Sequence, residues 1–87
     1  MANEDHATGA QIRAGRALLN LSADKLAEAA KLSRGTIQRA ELETAQVTAS
    51  NMARIIETLK ANGVIFIPAN GEGVGVRLSK KRTKRKS

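Results

Sequence analysis

Within the stretch KLSRGTIQRAE (residues 31–41), Arg34, Thr36, Gln38 and Arg39 surround Ile37. These four side chains share a chemistry. A guanidinium can pair with guanine O6 and N7, a carboxamide with adenine N6 and N7, and a threonine methyl with the thymine methyl. To act together they need one outward face of a rod that fits a groove. On a helix turning by about 100° per residue, with Ile37 facing inward, Ala40 and Glu41 fall near the inner side. Gly35, Arg39 and Leu42 then point outward, Gln38 and Thr36 lie on the flanks, and Arg34 sits at the N-terminal tip. Gly35 has no side chain and would let such a helix lie close to a groove floor. The plainer alternative is that Arg34, Gln38 and Arg39 are ordinary solvated side chains.

The flanking sequence supplies the elements that must hold this face. Ser33 is a suitable N-cap, so the helix is expected over 34–42. Before it, SADKLAEAA reads as a helix capped by Ser22, with Asp24 in the first turn where a negative charge suits the helix dipole. Its Leu26, Ala27 and Ala30 form an inward stripe. Two short helices joined by so few residues form a helix-turn-helix pattern. Upstream, residues 10–19 favour a helix with Ile12, Leu18 and Leu19 as its apolar members. Gly15 inside it suits the close approach of another element, and Asn20 is a stop that tolerates the left-handed conformation. Downstream, Thr48 or Ser50 caps a fourth helix, in which Met52, Ile55, Ile56 and Leu59 repeat at helical spacing. Gly63 ends it. VIFIP and VGVRL then suggest a β-hairpin of 64–67 with 74–78, joined by the turn residues ANGEG. An isolated hairpin is marginal in water, so it must pack on the helices, on a second copy, or both.

The chain has 87 residues, which suits one compact domain. Its domain organisation is expected to be a disordered segment over 1–8, a domain over 9–78 and a disordered basic tail over 79–87. The net charge of +7 is unevenly placed: KKRTKRKS at the end holds six of the fifteen Lys and Arg residues. The body thus carries nine basic against eight acidic residues and is nearly neutral. Such a tail favours a polyanion, most often nucleic acid. It has no apolar residue to insert into a membrane surface, and no run of about eighteen apolar residues spans one. Phe66 is the single aromatic residue, which disfavours binding of single strands by stacking on rings. No cysteine is present, which excludes disulfides and thiolate metal sites and suits a reducing cytoplasm. MANEDHATGAQ is unlike a secretory signal. His6 stands alone, and no nucleophile–base pair, paired carboxylates or metal cluster has a productive spacing, so neither a catalytic residue nor a metal ligand is expected. NGEGVG lacks the Lys-Ser/Thr of a phosphate loop and reads as a turn.

With these residues in place, IRAGRALLNLSADKLAEAAKLSRGTIQRAE resembles the DNA-binding domain of the lambda-repressor-like (XRE, Cro/CI-type) regulators. The resemblance covers about residues 12–59. It rests on Ile12-Arg13 and Arg16, Leu21-Ser22, Leu26-Ala27, the Leu32-Ser33 turn, Thr36-Ile37 and Glu41, in this order and spacing. It implies a mainly α, four-helix lambda-repressor-like helix-turn-helix domain, here followed by a C-terminal β-hairpin and a disordered basic tail. The segment LKANGVIFIPANGEGVGVRL looks like that of small regulators in which a hairpin follows the fourth helix. The implied function is sequence-specific binding of double-stranded DNA, as a repressor of a mobile element or an autoregulated operon. The family acts without a cofactor and usually as a homodimer, here on a palindromic operator. A cytoplasmic, nucleoid-associated location in a bacterium or phage follows. Three positions depart from the pattern. Ala23 stands where glutamine often follows the serine of helix 2, Lys31 where glycine often makes the turn, and Leu42-Glu43-Thr44 where glycine often follows Glu41.

Base reading is thereby expected of Arg34, Gly35, Thr36, Gln38 and Arg39. Phosphate contacts are expected of Ser22, Lys25, Lys31 and Ser33, near helix N-termini whose free N–H groups favour anions. The tail residues Lys80, Lys81, Arg82, Lys84, Arg85 and Lys86 are expected to add sequence-independent contacts, although a purely solubilising tail is equally compatible with its composition. Glu41 is expected to pair with Arg16 or Arg13. Two other functions fit the same residues: the DNA-binding antitoxin of a toxin–antitoxin pair, with the hairpin holding the toxin, and a small basic RNA-associated protein.

Overall fold

The computed structural model describes residues 7–43 and 46–80. The expected disorder of residues 1–6 and of most of the tail therefore lies outside the described residues. Four helices follow one another: α1 (Gly9–Leu18), α2 (Ala23–Ala30), α3 (Arg34–Leu42) and α4 (Ala49–Ala61). They are followed by β1 (Val64–Ile67) and β2 (Gly75–Leu78), paired antiparallel with Val64 opposite Leu78 and Ile67 opposite Gly75.

The caps are local chemistry. Ser22, Ser33 and Thr48 each take an extended conformation and accept a hydrogen bond from the backbone N–H three residues on. Thr48, not Ser50, thus opens α4. Thr8 does the same for α1, and the Gln11 side chain returns the bond to the Thr8 N–H. This reciprocal capping box corrects the expectation of disorder over 1–8: Thr8 belongs to the fold, and α1 starts at Gly9 and ends at Leu18, one residue earlier at each end. β2 begins at Gly75, so Val74, placed in the strand by its alternation, lies outside it and is exposed.

Ile12, Leu26, Ile37, Ile55, Ile56 and Leu59 are fully buried. Each contributes roughly 1.5–3 kcal/mol by leaving water. They come from all four helices, so no helix can leave without opening the shared core. Met52 of α4 packs against this core at half burial, as do Phe66, Val76 and Leu78, which seat one face of the hairpin on it. Gly15 lets the hairpin close in, since a Cβ there would lie 3.2 Å from Val64 Cγ1. Gln11, buried, donates from Nε2 to the carbonyls of Ile67 (3.2 Å) and Gly75 (3.0 Å), tying α1 to the far end of the ladder.

Candidate nucleic-acid interface

The site is built on the α2–α3 pair. Lys31 ends α2 at φ 61°, ψ 45°, in the left-handed conformation that the glycine-free turn requires. The Leu32 N–H then reaches back to the Ala27 carbonyl at 2.9 Å, and the chain is aimed into Ser33. The angle between the two helices is held from behind by Arg16 and Glu41. Arg16 Nε and Nη2 donate to the two carboxylate oxygens of Glu41 at 2.6 and 2.9 Å, and Nη1 donates to the Leu21 carbonyl at 3.0 Å. One side chain of α1 thereby binds α3 and the loop before α2. The hydrogen bond from Glu41 raises the pKa of Arg16 above the ordinary arginine value; burial opposes the shift and the charge of Glu41 adds to it. Of the two expected partners, Glu41 chooses Arg16, while Arg13 is exposed.

The outer face of α3 carries Arg34, Gln38, Arg39 and Leu42, all exposed, with Leu42 at 62 %. Arg34, at the tip, lies 3.5 Å from Asp24 of α2 through Nε and Oδ1. Ser22, Lys25, Lys31 and Ser33 are exposed along the N-terminal ends of α2 and α3 and the turn between them. The two serine hydroxyls are engaged as caps. Lys25 has only a distant, solvent-exposed ion pair with Glu28, 3.8 Å. Arg13, Arg16, Ser22, Arg34, Gln38 and Leu42 converge on one open cleft of about 360 Å³ between α1, α2 and α3. Ala23 also lines it, so the short side chain that departs from the family pattern leaves this cleft open. Arg13 lines this cleft although helical periodicity shows only that it faces out, not that α1 brings it to the same cleft as Ser22 and Arg34.

Thr36 is placed differently from the expectation. It is only 9 % exposed, and its Oγ1 lies 3.0 Å from Ser33 Oγ. The wheel put it on the flank; its hydroxyl turns inward to the cap instead. Lys80 is exposed just beyond β2, whereas Lys81, Arg82, Lys84, Arg85 and Lys86 lie outside the described residues. Among the described residues no group of histidines and carboxylates could hold a metal ion, and no helix is long and apolar enough to cross a membrane.

A helix pair with a tight turn, a capped second helix and a basic outer face is the geometry of a helix-turn-helix. A family model described as Helix-turn-helix (HTH_3) matches residues 12–63, more than half of the chain. The chain belongs to this family. This helix-turn-helix protein is thus a DNA-binding regulator of the lambda-repressor-like type, and its matched segment includes all four helices except the first turn of α1. Among curated proteins, none matches the chain.

Proposed function

We propose that this helix-turn-helix protein is a sequence-specific transcriptional repressor that binds a palindromic duplex operator as a homodimer, with α3 in the major groove. The observation that carries the reading is the cluster of Arg34, Gln38 and Arg39 on the exposed face of α3, beside the N-terminal ends of two helices. Arg34, Gly35, Gln38 and Arg39 face the bases. Ser22, Lys25, Lys31 and Ser33 hold the phosphates, and Arg13 joins them from α1. Binding, not catalysis, is the proposed activity. The hairpin offers the second copy an apolar surface, since Ile65 and Val74 are 38 % and 43 % exposed. A two-fold dimer would set its α3 helices about one duplex turn apart, roughly 34 Å.

Selection of bound duplexes from a random library tests this directly. The expected result is two inverted half-sites at a spacing of about ten base pairs. A single unrepeated site, with sedimentation showing a monomer at high micromolar concentration, would refute the dimer. The same exposed hairpin residues would hold a toxin if the protein were an antitoxin, and a toxin gene beside its own would favour that reading.

A further inference from the structure

Arg39 is the one base-facing residue of α3 whose guanidinium is held by its own helix. Its Nη2 donates to Thr36 Oγ1 at 3.3 Å. Thr36 Oγ1 is in turn fixed by Ser33 Oγ at 3.0 Å, and Ser33 Oγ also caps the Thr36 N–H at 3.1 Å. Whichever hydroxyl donates between Ser33 and Thr36, a lone pair on Thr36 remains for Arg39. The other terminal nitrogen, Nη1, lies over Gly35, 3.4 Å from where a Cβ would be. Arg39 therefore folds back along the helix toward its N-terminus, across a position without a side chain, onto a buried hydroxyl. Its long side chain, otherwise rich in rotamers, is pre-ordered. Four of its five N–H groups stay available, in the planar fork that matches guanine O6 and N7. Arg34 lacks such support: its neighbour is the exposed carboxylate of Asp24 on another helix.

We infer that Thr36 is a positioning residue that fixes Arg39 as the guanine-reading side chain of each half-site. This rests on the sequence-specific reading above and assigns one base to one residue. It also gives the buried Thr36 hydroxyl a role without contact to DNA.

The experiment is duplex selection followed by affinity measurement on the selected site and its single-base variants. The proteins compared are wild type, Arg39→Ala, Arg39→Lys, Thr36→Val and Thr36→Ser, with thermal melts as a check on folding. The wild type is expected to require guanine at one position per half-site. Arg39→Ala should erase that preference, a loss of roughly tenfold or more at that position. Arg39→Lys, which keeps the charge but not the fork, should erase most of it. Thr36→Val should weaken it several-fold at the same position alone, and Thr36→Ser should restore it. A Thr36→Val that binds every duplex more weakly by one common factor would show a merely structural residue and overturn the inference. So would a guanine preference that survives Arg39→Ala. A wild-type selection that returns no preferred sequence would overturn the sequence-specific reading and this assignment together.

Discussion

Lys31, Asn20 and Glu43 all have φ near +60°, at 61°, 58° and 56°, and none is glycine. Asn tolerates this region, and the Glu43 carboxylate accepts a hydrogen bond from the Gly9 N–H at the positive end of α1. Among the described residues the Lys31 side chain makes no such bond; its N–H donates to the Glu28 carbonyl at 3.2 Å, and its carbonyl accepts from Arg54 Nη1 at 3.4 Å. Left-handed backbone costs a residue with a Cβ roughly 1–2 kcal/mol. Lys31→Gly is therefore expected to stabilise the domain by about 1 kcal/mol, a rise of roughly 4–8 °C in melting temperature. The same change removes a proposed phosphate contact, so duplex affinity should fall while stability rises. A lower melting temperature would show that the turn is unstrained. The Arg16–Glu41 pair has the opposite character. Side-chain exposures of 21 % and 7 % place it largely out of water, so Glu41→Ala leaves a guanidinium without its partner and should destabilise by roughly 2–4 kcal/mol in denaturant. Replacing both by Met and Leu should recover much of that loss; no recovery would mean that the pair is held for its bond to Leu21 as well. Because folding raises the Arg16 pKa, the Arg16 contribution is complete below the unfolded arginine value and is lost only as pH rises through the higher folded one. Between about pH 7 and 9 stability should not move on its account.

At the scale of elements, α1 meets the end of α3 at Gly9. A Cβ on Gly9 would lie 2.2 Å from the Glu41 carbonyl oxygen, a backbone atom that cannot swing aside. Gly9→Ala should then cost roughly 1–3 kcal/mol by forcing the two helices apart. Gly73→Ala, with nothing within 4 Å of its Cβ, should stay within about 0.5 kcal/mol. Equal melting temperatures for the two variants would contradict the close approach. The contrast also marks what could be read in advance. The caps Ser22 and Ser33, the choice of Thr48 or Ser50 for α4, and the stripes Leu26-Ala27-Ala30 and Ile55-Ile56-Leu59 were legible because capping and periodicity are local. The exposure of Arg34, Gln38 and Arg39 on α3 was legible for the same reason, once Ile37 fixed the inward direction. Gly9, Gln11 and Glu43 were not, because their partners lie in α3, the hairpin and α1, and one polar residue has no period. Thr36 was misplaced because a wheel gives an angle but not the pull of the neighbouring cap. Gly15 could be suspected from its cost inside a helix, yet only the structure names Val64 as its neighbour.

Across the whole molecule, the near-neutral body carries its basic face on α3 while the strongest charge density follows β2 in the chain. The point of departure is well defined. The Ser79 N–H donates to the Gly63 carbonyl at 2.7 Å, and Leu78 pairs with Val64, which packs under Gly15 in the second half of α1. α1 runs from there into the loop that ends at Ser22. The described chain thus stops beside the half of α1 that leads to the proposed phosphate-facing edge, not at the opposite end by Gln11. From this start, six cations per chain can follow a duplex backbone, and each neutralised phosphate steepens log affinity against log salt by about 0.9. Deleting residues 80–87 should therefore flatten that slope by up to about 5 per chain and weaken binding to all duplexes by a common factor. The half-site sequence returned by selection should be the same with and without the tail. If the slope is unchanged, the tail makes no phosphate contact and serves solubility alone. If the slope flattens and the selected sequence also changes, the tail reads bases, and the division between a reading helix and a gripping tail fails.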